Sequence, residues 1–130
     1  MPENSARPAI TLGTINMDCR DSQAMADFYG KLLGYEIAWR DPDDDFIVMA
    51  DPSGGPSISF QPYPDYQPPV WPEQPGEQWK MVHLDMQVED LDAAMDYAIA
   101  CGASLAEFQG RKDLRVMLDP AGHPFCLCAD

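Results

Sequence analysis

The chain predicts an α+β fold in which one βαβββ unit is used twice, and three observations over its 130 residues carry that expectation. Two segments of alternating polarity, 10–19 and 80–90, each lead into a carboxylate that can cap a helix. Each of the two helices ends at a glycine, Gly34 and Gly102. The run Val48-Met49-Ala50-Asp51-Pro52-Ser53-Gly54-Gly55-Pro56 returns as Val116-Met117-Leu118-Asp119-Pro120-Ala121-Gly122-His123-Pro124, and Met17, Asp21, Ala24 and Asp27 return as Met86, Asp90, Ala93 and Asp96. Two four-stranded sheets, each with one helix on its back, can bury their other faces against a common space. The expected architecture is therefore an open eight-stranded mixed barrel around a central cleft.

In order, segment 10–19 places Ile15, Met17 and Cys19 on one face and Thr14, Asn16 and Asp18 on the other. Asp21 and Ser22 offer an N-cap, and Met25, Phe28, Tyr29, Leu32 and Leu33 keep helical spacing up to Gly34. Strands follow at 35–39, 46–50 and 57–61, separated by the acidic turn 41–45 and the turn beginning Asp51-Pro52. In the second copy, Val82, Leu84, Met86 and Val88 alternate with His83, Asp85, Gln87 and Glu89. Asp90 caps a helix with Leu91, Ala94, Met95, Ala98 and Ile99 in one stripe, and strands follow at 104–108, 114–118 and 125–128. The expected domain spans 10–128, with modules at 10–61 and 80–128. Connector 62–79 carries Pro62, Pro64, Pro68, Pro69, Pro72 and Pro75 among Tyr63, Tyr66, Trp71 and Trp79. Such a segment is stiff and extended, and its aromatics call for packing over a sheet, a pocket mouth or a partner chain.

Composition narrows the function. With 45% hydrophobic and 23% charged residues the chain is an ordinary globular one, but its net charge of −14 repels phosphate backbones and anionic membrane surfaces. No nucleic-acid or membrane partner is expected. No apolar run approaches the roughly 18 residues of a membrane span, and residues 1–8 carry no apolar run, so the expected location is the cytoplasm. There, Cys19, Cys101, Cys126 and Cys128 are expected as reduced thiols, with Cys126 and Cys128 on one strand face.

The polar face is the candidate site. Alternation gathers Thr14, Asn16, Asp18, His83, Asp85 and Gln87 there, with Ser57, Ser59 and Gln61 added from the first module. Trp39, Phe60 and Trp71 are the aromatics expected beside it, an arrangement suited to a small organic ligand. His83 next to Asp85 has the makings of a general base near neutral pH. His123, on a turn, is expected to be a structural contact, and Arg111, Lys112 and Arg115 a solvated strand face.

The paired Asp-Pro turns, the helix end Phe28-Tyr29-x-x-Leu32-Leu33-Gly34 and the closing Asp119-Pro120-Ala121-Gly122-His123-Pro124-Phe125 resemble the vicinal oxygen chelate superfamily. That superfamily includes glyoxalase I, extradiol dioxygenases, fosfomycin resistance enzymes and bleomycin resistance proteins. The resemblance runs from about residue 10 to 128. Pro69-Val70-Trp71-Pro72 and the ending 122–127 look most like glyoxalase-like proteins of actinobacteria. In the metal-using members each half supplies one ligand from its first strand and a carboxylate from its last. Those positions fall here on Thr14 and His83, and on Ile58 (or Ser59) and Cys126. Such a set does not suit the hard divalent metals of the superfamily, although a His83–Cys126 pair could hold zinc with help. The resemblance thus implies a small-molecule binding protein of the bleomycin-resistance kind, homodimeric, without metal or other cofactor, sequestering an aromatic or cationic compound. Its expected ligand-binding residues are Thr14, Asn16, Asp18, Trp39, Phe60, Gln61, Trp71, Gln87 and Cys126. A lyase- or isomerase-type enzyme with His83 as base oriented by Asp85 is the alternative, and a metal-dependent glyoxalase or dioxygenase the third reading. The superfamily pairs its modules both within a chain and across a dimer.

Overall fold

Both helices start and stop as their end residues dictate. In a computed structural model, which describes residues 7–129, the Asp21 carboxylate accepts the Ala24 N–H at 3.0 Å and Asp90 accepts that of Ala93 at 3.0 Å. Each cap fixes an extended residue ahead of a helix, α1 at Ser22–Leu33 and α2 at Leu91–Cys101, and contributes about 1 kcal/mol. Gly34, at φ 76°, and Gly102, at φ 120°, turn the chain out of each helix in backbone conformations that a Cβ would strain.

Around these helices lie strands β1 Thr14–Cys19, β2 Glu36–Arg40, β3 Ile47–Ala50, β4 Ser57–Pro62, β5 Leu84–Val88, β6 Ser104–Leu105, β7 Leu114–Leu118 and β8 Pro124–Ala129. They form two four-stranded mixed sheets, ordered β1-β4-β3-β2 and β5-β8-β7-β6, each with its first and last strands parallel. The sheets are left open, as the repeat predicts. Asn16 stands opposite Ser59 in the first and Asp85 opposite Cys126 in the second. This register makes Ser59, not Ile58, the counterpart of Cys126. Ile58 is buried in the core.

The core joins the two copies through α1. Phe28 packs edge-on to Tyr29, ring centroids 4.8 Å apart, and reaches Phe125 of β8 at 5.9 Å. Tyr29 stacks on Phe60 at 5.6 Å, while its hydroxyl donates to Asp119 Oδ2 at 2.8 Å in the other module. Asp119 is only 4% exposed, and its other oxygen accepts the N–H groups of Ala121 at 2.9 Å and His123 at 3.0 Å. Burial pushes its carboxyl pKa up, against the pull of His123 and these donors. The equivalent Asp51 lies nearer solvent, and hydrogen bonds from the Ser53 hydroxyl and N–H hold its pKa down.

Three strands differ from the sequence expectation by more than one residue. Strand β1 begins at Thr14 rather than Ile10, with Ile10 and Leu12 exposed. Strand β5 begins at Leu84, so His83 stands just ahead of it; Met81 and Val82 are 88% and 60% exposed, and no core draws that end of the alternation in. Strand β6 has two residues instead of five because the Gln109 side chain replaces its ladder. That amide donates to Ala106 O at 2.7 Å and Val116 O at 2.9 Å, and accepts the Val116 N–H at 2.9 Å.

The connector is fastened to both modules. Arg20 donates to Tyr66 O at 2.9 Å, the Tyr66 hydroxyl donates to Ala121 O at 2.9 Å, and the Trp71 indole donates to Phe108 O at 3.1 Å.

Because three donors converge on the buried Asp119, Asp119→Ala is expected to cost about 2–4 kcal/mol in urea denaturation, against less than about 1 kcal/mol for Asp51→Ala. The raised pKa of Asp119 also sets a sign. Its stabilisation is fullest in acid, below the ordinary carboxylate value, and is lost as pH rises through the folded-state value. A pH series of denaturation midpoints should lose that slope in an Asp119→Asn protein.

Candidate ligand site

β1 and β5 are edge strands of different sheets, and the space between them is bridged by the connector. A cavity of about 500 Å³ lies there. Asn16 and Asp18 of β1, the approach to β5 with Lys80 and His83, and the connector residues Tyr63, Asp65, Tyr66 and Trp79 line it, together with His123. Both histidines of the chain therefore face one cavity.

They are held differently. His123 Nε2 lies 2.6 Å from the Asp18 carbonyl oxygen, which can only accept, so Nε2 carries the proton. It is also 3.3 Å from the Tyr66 hydroxyl. His123 thus ties the β7–β8 turn to β1 across the module boundary. Burial, with Asp119 near, holds the Tyr66 phenol pKa well up and keeps the ring neutral beside it. His83 keeps 39% of its side chain exposed, and its Nε2 lies 3.3 Å from Asp85 Oδ1. Among the described residues Lys80 is the one Lys or Arg on the wall, and Glu73 pairs with it while the Trp71 ring lies 4.6 Å away.

Of the residues expected at the site, Asn16, Asp18 and His83 line this cavity. Thr14, Asp85 and Gln87 are exposed and Cys126 half-buried on the polar sheet faces outside it, and Gln61 is half-buried opposite Asp18. Trp39 is 51% exposed on β2, at the far edge of the first sheet, with Phe46 beside it. Phe60 is a correction. It pairs with the core residue Met17, is fully buried and stacks on Tyr29, because its neighbours Ser59 and Gln61 take the polar side of β4. Trp71 packs against Phe108 at 6.2 Å rather than lining the cavity. Tyr63, Asp65, Tyr66 and Trp79 were not singled out as ligand contacts by alternation, which does not extend to a connector. Their signal was the density of aromatics among prolines.

The resemblance puts the superfamily's metal-ligand positions at Thr14, Ile58 or Ser59, His83 and Cys126, and of the two β4 candidates it is Ser59 that stands opposite the polar face of β1. Ser59 is buried and its hydroxyl is taken up donating to Asn16 Oδ1 at 2.7 Å. A threonine and a committed serine supply no anionic oxygen, so this set does not fit the octahedral metal of the glyoxalases or the iron of the dioxygenases. Nor is Cys126 an activated nucleophile. Burial first, then Asp85 and Cys128, push its thiol pKa from 9.0 up to about 11 against the opposing pull of Lys80. Only about one molecule in 10,000 would carry the thiolate at pH 7.

Iodoacetamide labelling of Cys126, followed by peptide mass spectrometry, should therefore be slow at neutral pH and rise with a midpoint near 11. Asp85→Asn should move that midpoint down, since the carboxylate opposes ionisation, while burial still holds it above the ordinary thiol value.

The glyoxalase-like domain family matches residues 14–128. No curated protein sequence matches the chain. Among solved structures, a glyoxalase/bleomycin resistance protein/dioxygenase family enzyme from Burkholderia phytofirmans superposes with a TM-score of 0.67 at 24% identity, over 92% of this chain and 98% of that one. A fosfomycin resistance protein from Listeria monocytogenes gives 0.66 at 12% identity, over 95% and 91%. An antibiotic-binding protein from a Streptomyces species gives 0.61 at 14%, over 95% and 98%. At these identities the structures bear on the fold, which is that of the vicinal oxygen chelate superfamily, and the domain match bears on membership. The chain belongs to the glyoxalase-like domain family.

Proposed function

We propose that this protein binds a small organic ligand, aromatic and cationic, in the cavity beneath the connector, and does so without the metal chelate of the superfamily. The observation that carries the reading is the make-up of that wall. Tyr63, Tyr66 and Trp79 offer aromatic rings, Asp18 and Asp65 offer carboxylates, and the one ammonium that the described residues place there, that of Lys80, is already paired with Glu73. Aromatic faces and carboxylates together favour an organic cation, and the net charge of −14 draws one in. That the Streptomyces structure is described as an antibiotic-binding protein supports the same class of function. Thr14, Gln87 and Trp39 stand exposed on the sheet faces, and a second copy would cover them, so the working form is proposed to be a homodimer. No helix among the described residues is long and apolar enough to cross a membrane, and a cytoplasmic setting suits the four cysteines, none of them in a disulfide.

A second reading rests on His83. Its ring lines the cavity 3.3 Å from Asp85, the arrangement of a general base with an orienting carboxylate, as in a lyase or isomerase. On any substrate found to turn over, His83→Gln should then lower kcat by about 100-fold or more; unchanged turnover would remove His83 from that role.

The binding reading is tested by thermal shift and Trp fluorescence against a panel of aromatic amines and their neutral analogues. The cations should stabilise the protein, the neutral analogues should not, and the effect should weaken with salt. Asp18→Asn and Asp65→Asn should each reduce affinity for the cation by about two- to fivefold while leaving the neutral analogues unaffected.

A further inference from the structure

We propose that His83, Asp85 and Cys126 form a binding site for a thiophilic divalent cation, of which zinc is the type, built from the second module alone. One ring nitrogen, one carboxylate oxygen and one sulfur have converged so that the donor atoms all lie within 4.8 Å of one another. The backbone explains the convergence. Asp85 and Cys126 are direct partners across the parallel β5–β8 pair, and His83 stands two residues before Asp85 with its ring turned back to it. Two of the three donors are thus carried on a strand pair that the core behind it holds in register.

One edge of the triad already has the spacing of a coordination shell, and the two edges to sulfur, none longer than 4.8 Å, need only a small side-chain movement to close. Ligands about 2.0–2.1 Å from a tetrahedral zinc lie about 3.3 Å from one another. His83 Nε2 and Asp85 Oδ1 are 3.3 Å apart, one edge of such a tetrahedron. Sulfur bonds are longer, at about 2.3 Å, so Cys126 can stand further out. Side-chain exposures of 39% for His83 and 63% for Asp85 leave a path for the ion and a fourth position for water.

The donor set also chooses among metals. A nitrogen, oxygen and sulfur triad suits zinc, cobalt and cadmium, whereas magnesium, calcium and manganese prefer oxygen throughout. This site therefore replaces the superfamily arrangement instead of degrading it: the ligands gather in one half, and Thr14 and Ser59 in the other supply none. Coordination would remove the Cys126 proton, as a bound divalent ion does for any ligating thiol. The inference stands apart from the organic-cation reading, since only His83 is common to the two sites.

The test is a titration of the purified, metal-stripped, reduced chain with Co²⁺, followed by absorbance. One Co²⁺ per chain is expected, with a thiolate-to-cobalt charge-transfer band, visible absorption of tetrahedral intensity, displacement by Zn²⁺ and indifference to excess Mg²⁺. Cys126→Ser should abolish the charge-transfer band. His83→Gln and Asp85→Asn should each weaken binding by at least about tenfold, more than the loss of an outer-shell partner. Cys128→Ser and Cys101→Ser should leave the spectrum in place, and circular dichroism of every variant separates a lost ligand from a lost fold. A band that survives Cys126→Ser, one that vanishes with Cys128→Ser in a folded chain, or no charge-transfer band at all overturns the proposal. A chain that takes up Co²⁺ yet ignores every aromatic amine would retain this site and lose the binding reading; the reverse result would do the opposite.

Discussion

The hydrogen bond from Tyr29 to Asp119 is the constraint on which the arrangement of the two modules depends. It leaves α1 of the first module and ends in the turn before β8 of the second, inside the core. A carboxyl group placed there would cost several kcal/mol if left unpartnered. The turn must therefore stay where Tyr29 and two backbone N–H groups can reach it. With the turn in place, Ala121 receives the Tyr66 hydroxyl and His123 reaches the Asp18 carbonyl. The cavity wall is assembled from these same residues, so its shape follows from a buried polar contact more than from apolar packing.

The repeat explains what the two modules share, and its departures explain what each does. Both Asp-Pro turns have the same backbone closure, Gly54 to Asp51 and Gly122 to Asp119, each at 2.9 Å. One carboxylate remains at the surface of its own module while the other is drawn into the junction. On the polar faces, Asn16 and Ser59 are bonded to one another, whereas Asp85 and Cys126 at the matching positions are an acid and a thiol. At these paired positions the first module holds a satisfied amide–hydroxyl pair and the second two ionisable groups.

What the sequence made legible was local in origin. Asp21, Asp90, Gly34 and Gly102 act within one turn of their own helix, and strand alternation needs only neighbours, so the helices, the sheets and the polar faces followed from reading the chain in order. The site was legible only in part. Asn16, Asp18 and His83 could be named because they alternate, but alternation does not tell which end of a strand meets the cavity, and it leaves Asp85 and Gln87 on the outer face. Phe60 was assigned to the ligand side for its aromaticity, against the parity of its own strand. Tyr66 and Trp79 belong to a segment without period, whose place is set by long-range bonds to Arg20, Ala121 and Phe108 that no local pattern encodes.

The side chain of Gln109 has a consequence beyond shortening β6. Backbone groups at a sheet margin invite another chain to pair with them. On the second sheet the amide takes the N–H of Val116 and shares its carbonyl with the Ala106 N–H, so both groups are satisfied just past the end of β6. The matching margin of the first sheet, β2, is exposed along its whole length. Although the repeat makes two similar sheets, association by strand addition meets a plugged margin on one and an open margin on the other, so the molecule has a directional edge.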